Sequence, residues 1–288
     1  MRVVTRFAPS PTGPLHLGHA FSALLAHDFA RRRDGAFLLR IEDIDPGRSR
    51  PEHVDSIIED LVWLGLDWDG EIIFQSERLD LYRDALDRLK SAGLVYPCFC
   101  TRAAIAAEIA ASAAAPHGPD GPVYPGICRP LSAEARERRC AVEPHAWRLD
   151  VAKASAEAGP LYWSDGDTEV QAEPEAHGDV VLARKDAPVS YHLAVTVDDD
   201  AQGVTDVVRG RDLYSATDVH RLLQALLRLP TPLYRHHPLL LGADGRRLAK
   251  RHGAPTLRAL REAGVDPKAL AADLLTGQMP YGYSAINS

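Results

Sequence analysis

The N-terminal segment constrains the fold more strongly than any other part of the chain. Residues 2–7 (RVVTRF) are rich in β-forming side chains, and the prolines and glycine of APSPTGP then stop this strand in an open loop. From Gly18 apolar residues recur at helical spacing as far as Asp34-Gly35, and AFLLRIED follows as a second β-rich run. A strand, a loop, a helix and a strand in this order predict two parallel strands, and therefore an α/β fold with a parallel sheet.

The composition is that of a globular protein and excludes a membrane-spanning chain. A chain of 288 residues can bury a substantial core, and its 45% hydrophobic and 25% charged fractions are ordinary. No apolar run approaches the roughly 20 residues that cross a bilayer. The N-terminal MRVVTRFAPSPTG also lacks the apolar core of about 7–15 residues that a signal peptide needs. We therefore expect a cytoplasmic protein without membrane contacts.

The formal net charge of −7 argues against a surface that grips nucleic acid indiscriminately through its phosphates. Two local basic clusters remain, at Arg31–Arg33 and at residues 246–251. A solvated helix face explains the first cluster best, although a nucleic-acid contact there stays open.

Beyond the N-terminal unit, the pattern predicts helices, an irregular insertion and further strands. Apolar residues at helical spacing predict helices at about 52–65 and 78–92 and in ATDVHRLLQALLRL. The proline- and glycine-rich stretch 98–145 breaks this rhythm and is interpreted as an insertion. HAWRLDV, GPLYWS, GDVVLAR and SYHLAVTVDD are predicted to be strands.

The motif PLHLGHA at residues 14–20 lies where the first strand gives way to the first helix. The N-terminus of a helix favours phosphate, because free N–H groups and the positive end of the helix dipole lie there. His16 and His19 could stabilise negative charge on the phosphates of a nucleotide, and Gly18 would give the nucleotide close access to the backbone. Two capping or surface histidines are the alternative interpretation.

A glycine-punctuated basic loop, GADGRRLAKRHG at residues 242–253, stands out in an acidic protein. The ammonium of Lys250 on such a loop could close on phosphate charge as that charge develops in a transition state. A solvated basic turn is the alternative interpretation.

Three of the four cysteines have a spacing that favours a metal site. Cys98-x-Cys100 and Cys128 bracket a loop of about 30 residues, which suits tetrahedral zinc. Free buried cysteines are the alternative, and Cys140 lies outside the spacing and is interpreted as a small apolar residue. Four cysteines in a chain of this length do not make a disulfide framework.

Five segments resemble, in order, the catalytic region of the glutamyl-tRNA synthetases: FAPSPTGPLHLGHA, LLRIEDID, SYHLAVTVDD, VVRGRDL and the basic loop. The resemblance covers residues 3–260 or so. PLHLGH is similar to the HIGH signature of that family. RLAKR is similar to its KMSKS loop, with Ala249 where a serine is usual and Arg247 where a lysine is usual. The resemblance implies a Rossmann-type α/β nucleotide-binding domain and an ATP-dependent ligase.

The resemblance also implies two substrate sites. Mg²⁺ would enter together with ATP, and His16, His19 and Lys250 would be the catalytic residues. The implied ATP-binding residues are His16, Gly18, His19 and Lys250. The implied glutamate-binding residues are Arg6, Phe7, Ala8, Pro9, Ser10, Glu42, Tyr191 and Arg209.

The chemistry of glutamate agrees with this set of residues. A substrate with two carboxylates and one ammonium needs arginines for its acids and a carboxylate for its amine. Glu42 is the natural partner of the ammonium. A surface ion pair with Arg40 or Arg48 is the alternative for this residue.

Within the family, the chain resembles the glutamyl-Q tRNA(Asp) synthetases. Only about 35 residues follow Gly253, so we expect none of the helical anticodon-binding domains of a full glutamyl-tRNA synthetase. The resemblance implies tRNA-independent activation of L-glutamate by ATP and its transfer to the queuosine base in the anticodon of tRNA(Asp). That family similarly uses a tyrosine as a fourth zinc ligand. The implied ligands of one structural Zn²⁺ are Cys98, Cys100, Tyr124 and Cys128.

The implied organisation is a Rossmann-type catalytic domain in two halves, 1–97 and 146–240, with a zinc-bearing insertion at 98–145 and a basic loop with a short helical segment at 241–288. We expect a monomer. Two alternatives stay open, namely a truncated glutamyl-tRNA synthetase that charges a tRNA 3′ end and a non-catalytic tRNA-binding regulatory module. A last set of residues is interpreted as core packing or solvated turns: His236-His237, Trp63, Trp68 and Asp198–Asp200.

Overall fold

The computed structural model describes residues 2–111, 117–119, 121–241, 255–277 and 284–286. Its helices are α1 (Leu17–Arg31), α2 (Pro51–Trp63), α3 (Leu79–Ser91), α4 (Arg102–Ala111), α5 (Ala133–Cys140), α6 (Val151–Ala158), α7 (Tyr191–Ala201), α8 (Ala216–Leu227), α9 (Leu257–Glu262) and α10 (Pro267–Thr276). Its strands are β1 (Val4–Phe7), β2 (Ala36–Ile41), β3 (Ile73–Phe74), β4 (Val95–Cys98), β5 (His117–Gly118), β6 (Gly121–Pro122), β7 (Ala146–Leu149), β8 (Tyr162–Asp165), β9 (Thr168–Gln171), β10 (Val181–Ala183), β11 (Asp206–Gly210), β12 (Leu233–His237), β13 (Leu239–Leu241) and β14 (Ser284–Ile286).

The N-terminal unit has the predicted order of strand, helix and strand. β1 and β2 pair in parallel with Val4 beside Ala36, and β3 adds a further parallel strand on the other side of β2. The turn between α1 and β2 depends on Gly35, because a Cβ there would lie 2.6 Å from the carbonyl oxygen of Val3. The prediction of an α/β fold with a parallel sheet is therefore confirmed.

A second parallel pair brings the distant half of the chain against β1. β11 and β12 pair in parallel, and β8 and β9 extend that sheet. The N–H of Thr205, just before β11, donates to the carbonyl of Val4 over 2.9 Å. Arg6 and Arg209, near the ends of β1 and β11, consequently line the same cavity. Ligand sites of open α/β sheets lie at such strand ends.

SYHLAVTVDD is a helix, α7, and the prediction of a strand there is wrong. Its β-branched residues favoured a strand, but two buried aspartates, Asp198 and Asp199, must meet arginines of other elements. A helix presents Tyr191, Val195 and the aspartates at intervals of three or four residues, on one side. Tertiary pairing of charge has outweighed local propensity here.

The cysteine-bearing stretch emerges between two paired strands. β4 and β7 pair antiparallel with Cys98 beside Ala146, so residues 99–145 form an excursion from that pair. HAWRLDV, GPLYWS and GDVVLAR form β7, β8 and β10 as predicted. The division into domains at residues 97, 145 and 240 stays a prediction.

The described residues form two large hydrophobic cores. In the first, α1 and the β1–β2 pair pack with α2, α9 and α10, and Leu270 and Leu274 of α10 are buried in it. The second core lies among α3, α6, α7 and α8, with Leu193 and Leu222 fully buried. Each such leucine contributes about 1.5–3 kcal/mol by leaving water. No helix within the described ranges is long and apolar enough to cross a membrane.

Candidate active site

A cavity of about 660 Å³ lies at the ends of β1 and β11, and we call it the histidine cavity. It brings together the residues that the sequence singled out for two substrates. Among its lining residues are Arg6, Phe7, Ala8, Pro9, Ser10, His16, Gly18, His19, Glu42, Tyr191 and Arg209. Lys250 and the rest of the basic loop lie outside the described residues.

His16 and His19 form a capping box at the start of α1. The backbone N–H of Gly18 donates to His16 Nδ1 over 3.1 Å, and the N–H of His16 donates to His19 Nδ1 over 3.2 Å. Each ring therefore carries its proton on Nε2, which is the tautomer that donates from that atom. A Cβ at Gly18 would lie 3.0 Å from the His16 ring, so glycine lets this ring pack closely on the backbone. The two histidines therefore do cap the helix, as the alternative interpretation has it. The same hydrogen bonds hold both rings in the cavity.

The segment after the basic loop is fastened beside these histidines. The N–H of Leu257 donates to the carbonyl of Leu15 over 2.9 Å, and Thr256 forms a bridge with His16. Strand β13 lies just before the loop, and Leu239 and Leu240 of that strand line the histidine cavity. Both anchors of the loop therefore lie near the cavity, whatever position Lys250 itself takes.

A buried ionic network reaches the cavity through Arg6 and Glu42. We call it the arginine cluster, and its members are Arg6, Arg40, Arg78, Glu42, Asp198 and Asp199. Asp199 accepts from Arg6 Nε over 3.0 Å and from Arg40 Nη1 over 2.9 Å. Asp198 accepts from Arg78, Gln75 and Tyr82, each over 2.8 Å. Three arginines thus meet three carboxylates, and the cluster is neutral as a whole.

Glu42 belongs to this network, and its nearest charge is the predicted alternative partner. Its Oε1 lies 3.4 Å from Arg40 Nη2, in a buried pair rather than on the surface. Burial raises the pKa of Glu42 despite the nearby arginines. A cation that entered the cavity beside Glu42 would favour its charged form.

The pKa of Asp199 is shifted in the opposite direction. Burial disfavours its charge, but Arg6 and Arg40 outweigh burial and hold the pKa of Asp199 below its usual range. A carboxylate that accepts from two arginines stays ionised at neutral pH.

A cluster of three thiols lies in the predicted insertion. The Sγ atoms of Cys98, Cys100 and Cys128 lie within 4.8 Å of one another, and they could hold a metal ion. The hydroxyl of Tyr124 lies 3.4 Å from Cys98 Sγ and 3.6 Å from Cys100 Sγ. Cys140 is half-buried against this group, in agreement with its interpretation as a small apolar residue.

A second cavity of about 500 Å³ adjoins the first, and we call it the insertion cavity. The two share Ser10, Thr12, Glu42 and Tyr191. Tyr124, Asp45 and Arg184 also line the insertion cavity, and Arg184 pairs with Asp45 over 3.2 Å. The space beside Glu42 and Tyr191 is therefore open toward the insertion as well as toward His16.

The family of the chain follows from a comparison of its sequence with known families. Residues 2–283 match the family described as tRNA synthetases class I (E and Q), catalytic domain. The chain belongs to this family. It is therefore a ligase, and the resemblance read from its sequence motifs is confirmed.

Individual relatives of this synthetase sharpen the comparison. It is 51% identical to the glutamyl-Q tRNA(Asp) synthetase of Rhodobacter capsulatus over 92% of this chain and 97% of that protein. It is 49% identical to the glutamyl-Q tRNA(Asp) synthetase of Deinococcus radiodurans over 95% of this chain and 88% of that protein. With the glutamate–tRNA ligase of Aquifex aeolicus it shares 41% identity over 93% of this chain but only 56% of that protein.

A solved structure agrees on the fold. The glutamate–tRNA synthetase of Elizabethkingia anophelis superposes with a TM-score of 0.80 at 27% identity, over 96% of this chain and 62% of that one. The synthetase thus spans about three fifths of the length of that solved relative.

Sequence reasoning missed several residues around the site. Asp198 and Asp199 are buried in the arginine cluster and do not lie in a solvated turn. His236 contacts Arg209, and His237 lies in the histidine cavity with its Nε2 3.0 Å from Ser22 Oγ. Their positions in the sequence could have revealed them. The aspartates follow Tyr191 at helical intervals, and the two histidines lie at the end of a strand. Trp63 and Trp68 do pack against the first core, as their interpretation as core residues predicted.

Proposed function

We propose that this synthetase activates L-glutamate with ATP, without tRNA, and transfers it to the queuosine base in the anticodon of tRNA(Asp). The observation that carries the proposal is one cavity that contains two arginines, a carboxylate and a pair of fixed histidines. The names of its closely similar relatives support the same reaction. The proposal goes beyond the family, whose description covers both glutamate and glutamine enzymes.

Glutamate would lie between Glu42 and the arginines. Glu42 would accept from its ammonium, and Arg6 and Arg209 would attract its carboxylates. Tyr191 is held on the inner face of α7 and would donate its hydroxyl proton to a carboxylate. The remaining wall would consist of Phe7, Ala8, Pro9 and Ser10.

ATP would bind on the histidine side of the cavity. His16 and His19 would donate from Nε2 to its phosphates beside Gly18, and Lys250 would approach from the basic loop. Mg²⁺, bound with ATP, would neutralise phosphate charge. An α-carboxylate oxygen of glutamate attacks the α-phosphorus, the bond to the bridging oxygen breaks, and pyrophosphate leaves with that oxygen. Catalysis would come from positioning and charge, with no covalent enzyme intermediate.

The second step needs an acceptor hydroxyl beside the adenylate. That hydroxyl oxygen attacks the carbonyl carbon of the mixed anhydride, AMP leaves, and the hydroxyl proton is lost to solvent. The insertion cavity opens onto Glu42 and Tyr191, so an acceptor base can approach there while the nucleotide stays beside His16.

We propose that the thiol cluster is a structural zinc site with Cys98, Cys100, Tyr124 and Cys128 as ligands. Thiolates bound at 2.3 Å to a tetrahedral ion lie about 3.8 Å apart, and Cys100 Sγ lies 3.5 Å from Cys128 Sγ. Burial raises the pKa of the Cys100 thiol to about 11, so its proton leaves only when a cation takes its place. The ion would fasten the insertion to the end of β4.

Metal analysis of purified protein tests the zinc proposal. We expect about one zinc per chain, lost in Cys128→Ser and retained in Cys140→Ser, the matched control half-buried beside the cluster. Equal metal content in both variants would exclude the assigned ligand set.

Transfer of labelled glutamate tests the reaction itself. The assay contains ATP and Mg²⁺ with aspartate tRNA that carries queuosine, the same tRNA made without it, or glutamate tRNA. We expect label only on the queuosine-containing tRNA. Label on glutamate tRNA would instead favour the glutamate–tRNA ligase reaction, which the Aquifex aeolicus relative makes the second candidate. Absence of any adenylate would favour a non-catalytic module.

A further inference from the structure

Arg209 differs from the arginines of the cluster in its surroundings. It is 4% exposed, yet within the described part of the chain every hydrogen-bond partner of its guanidinium is an uncharged group. Nε donates to His236 Nε2 over 3.1 Å, and Nη1 donates to His220 Nδ1 over 3.3 Å and to Tyr191 Oη over 3.4 Å. Nη2 donates to Thr217 Oγ1 over 2.7 Å and to the carbonyl of Leu213 over 3.0 Å. We call these five partners the Arg209 cage.

The two histidines of the cage act as acceptors toward the arginine. His236 then carries its proton on Nδ1, which lies 3.1 Å from Asp165. His220 carries its proton on Nε2, which lies 3.2 Å from His192 Nδ1. Burial holds the pKa of His220 well below its usual range and lowers that of His236 to about 4. Both rings are therefore neutral at physiological pH, and they orient Arg209 without cancelling its charge.

Taken together, the arginine cluster and Arg209 leave a single positive charge. The arginine cluster is balanced, with three arginines against three carboxylates. Arg209 adds one charge, and the ring of Tyr234, 5.2 Å from its guanidinium carbon, adds only a neutral π face. Glutamate brings one net negative charge, whereas glutamine brings none. Glutamate therefore balances the charge that Arg209 adds, and glutamine does not.

We propose that His220, His236 and Thr217 are positioning residues that hold Arg209 through uncharged acceptors, and that this neutrality makes the pocket select glutamate over glutamine. The inference rests on the proposed activation of glutamate. Tyr191 completes the arrangement, because its contact with Arg209 is the longest of the five and is the one that a substrate carboxylate can share. A carboxylate in place of any cage acceptor would neutralise Arg209, and the substrate carboxylate would then be bound more weakly.

An isosteric pair of substitutions separates charge from shape. In His220→Asn the side-chain amide oxygen can take the place of Nδ1, and His220→Asp has the same shape with a negative charge. Glutamate-dependent exchange of pyrophosphate into ATP gives the kinetic constants. We expect His220→Asn to keep the KM for glutamate within about threefold, and His220→Asp to raise it about tenfold or more. The KM for ATP should stay within about twofold in both.

The preference for glutamate over glutamine is a second measurement, and a loss of stability alone would not change it. The ratio of kcat/KM for glutamate to that for glutamine should fall in His220→Asp and be retained in His220→Asn. An equal KM for glutamate and an equal selectivity in the two variants would overturn the proposed role of the Arg209 cage. Thermal unfolding of both variants shows whether each is folded.

A second pair applies if His220→Asp does not fold. Thr217→Val removes an acceptor without changing shape, and Thr217→Ser restores it. We expect the valine variant alone to raise the KM for glutamate with an unchanged KM for ATP. Parallel changes in both constants, or no change in either, would overturn the cage. Wild-type protein without glutamate-dependent exchange, with or without tRNA, would overturn the proposed function instead.

Discussion

The arginine cluster and the Arg209 cage handle the same buried charge in two ways. In the cluster, Arg6 and Arg40 share Asp199, and the charges balance within the chain itself. In the cage, Arg209 donates hydrogen bonds to imidazoles, hydroxyls and a carbonyl, and its charge is left for a ligand. A buried ion without a counter-charge costs several kcal/mol. The chain itself thus neutralises Arg6 and Arg40, whereas the charge of Arg209 is left for the substrate to neutralise.

The largest expected effect comes from breaking the cluster. Asp199→Asn keeps the shape but leaves Arg6 and Arg40 without their shared carboxylate, so the free energy of unfolding should fall by about 3–5 kcal/mol. Urea denaturation measures this change. Asp200→Asn, at the exposed neighbouring position, should change it by less than about 0.5 kcal/mol. Similar losses in the two variants would mean that the buried pairs do not set the difference.

Ligand binding tests whether the charge of Arg209 in the cage is left for a substrate. L-glutamate at about 100 times its Kd should stabilise the protein by about 2.7 kcal/mol, because it supplies the missing negative charge. L-glutamine at the same concentration should stabilise it far less. Thermal unfolding with each amino acid measures the difference. Equal stabilisation by both would show that Arg209 does not sense charge.

The smallest effect is a pH dependence to which the histidines of the cage contribute. The pKa of His236 is about 4 in the folded protein and higher in the unfolded chain, so the unfolded chain binds more protons between these values. Stability is then complete near neutral pH and falls as the pH drops toward 4, by at most about 1.4 kcal/mol per pH unit. The buried His220 acts in the same direction.

Asp199 of the arginine cluster should not contribute to that slope. The pKa of Asp199 is held below its usual range, so its contribution is lost only at still lower pH. Urea denaturation between pH 7 and 5 measures the slope, and His236→Gln should flatten it. An unchanged slope in that variant would assign the pH dependence to groups outside the cage.

The sequence predicted the parts of the fold that are encoded locally. Strand β1, helix α1 and strand β2 follow from a hydrophobic period and from glycine and proline breaks, and the structure has them in that order. The motif residues His16, His19 and Glu42 were also found, because their types and spacing are distinctive. Whether each performs its proposed role stays a prediction.

Other features depend on contacts between distant residues, and the sequence did not predict them. Arg40 and Asp199 are 159 positions apart, so the burial of Asp199 left no local signal. That same pairing fixes α7 as a helix where β-branched residues favoured a strand. His220 and His236 gain their significance only from Arg209, which lies on a third element.

The packing of α10 against α1 has a consequence for the order of events during protein synthesis. Leu270 and Leu274 are buried in the core that also contains Phe21 and Leu24 of α1. The part of α1 that packs on α10 therefore stays uncovered until residue 274 has been made. Such distant contacts slow folding and leave the nascent chain prone to aggregate. The core beneath the amino-terminal half of the active site is thus completed only after residue 274 has been made.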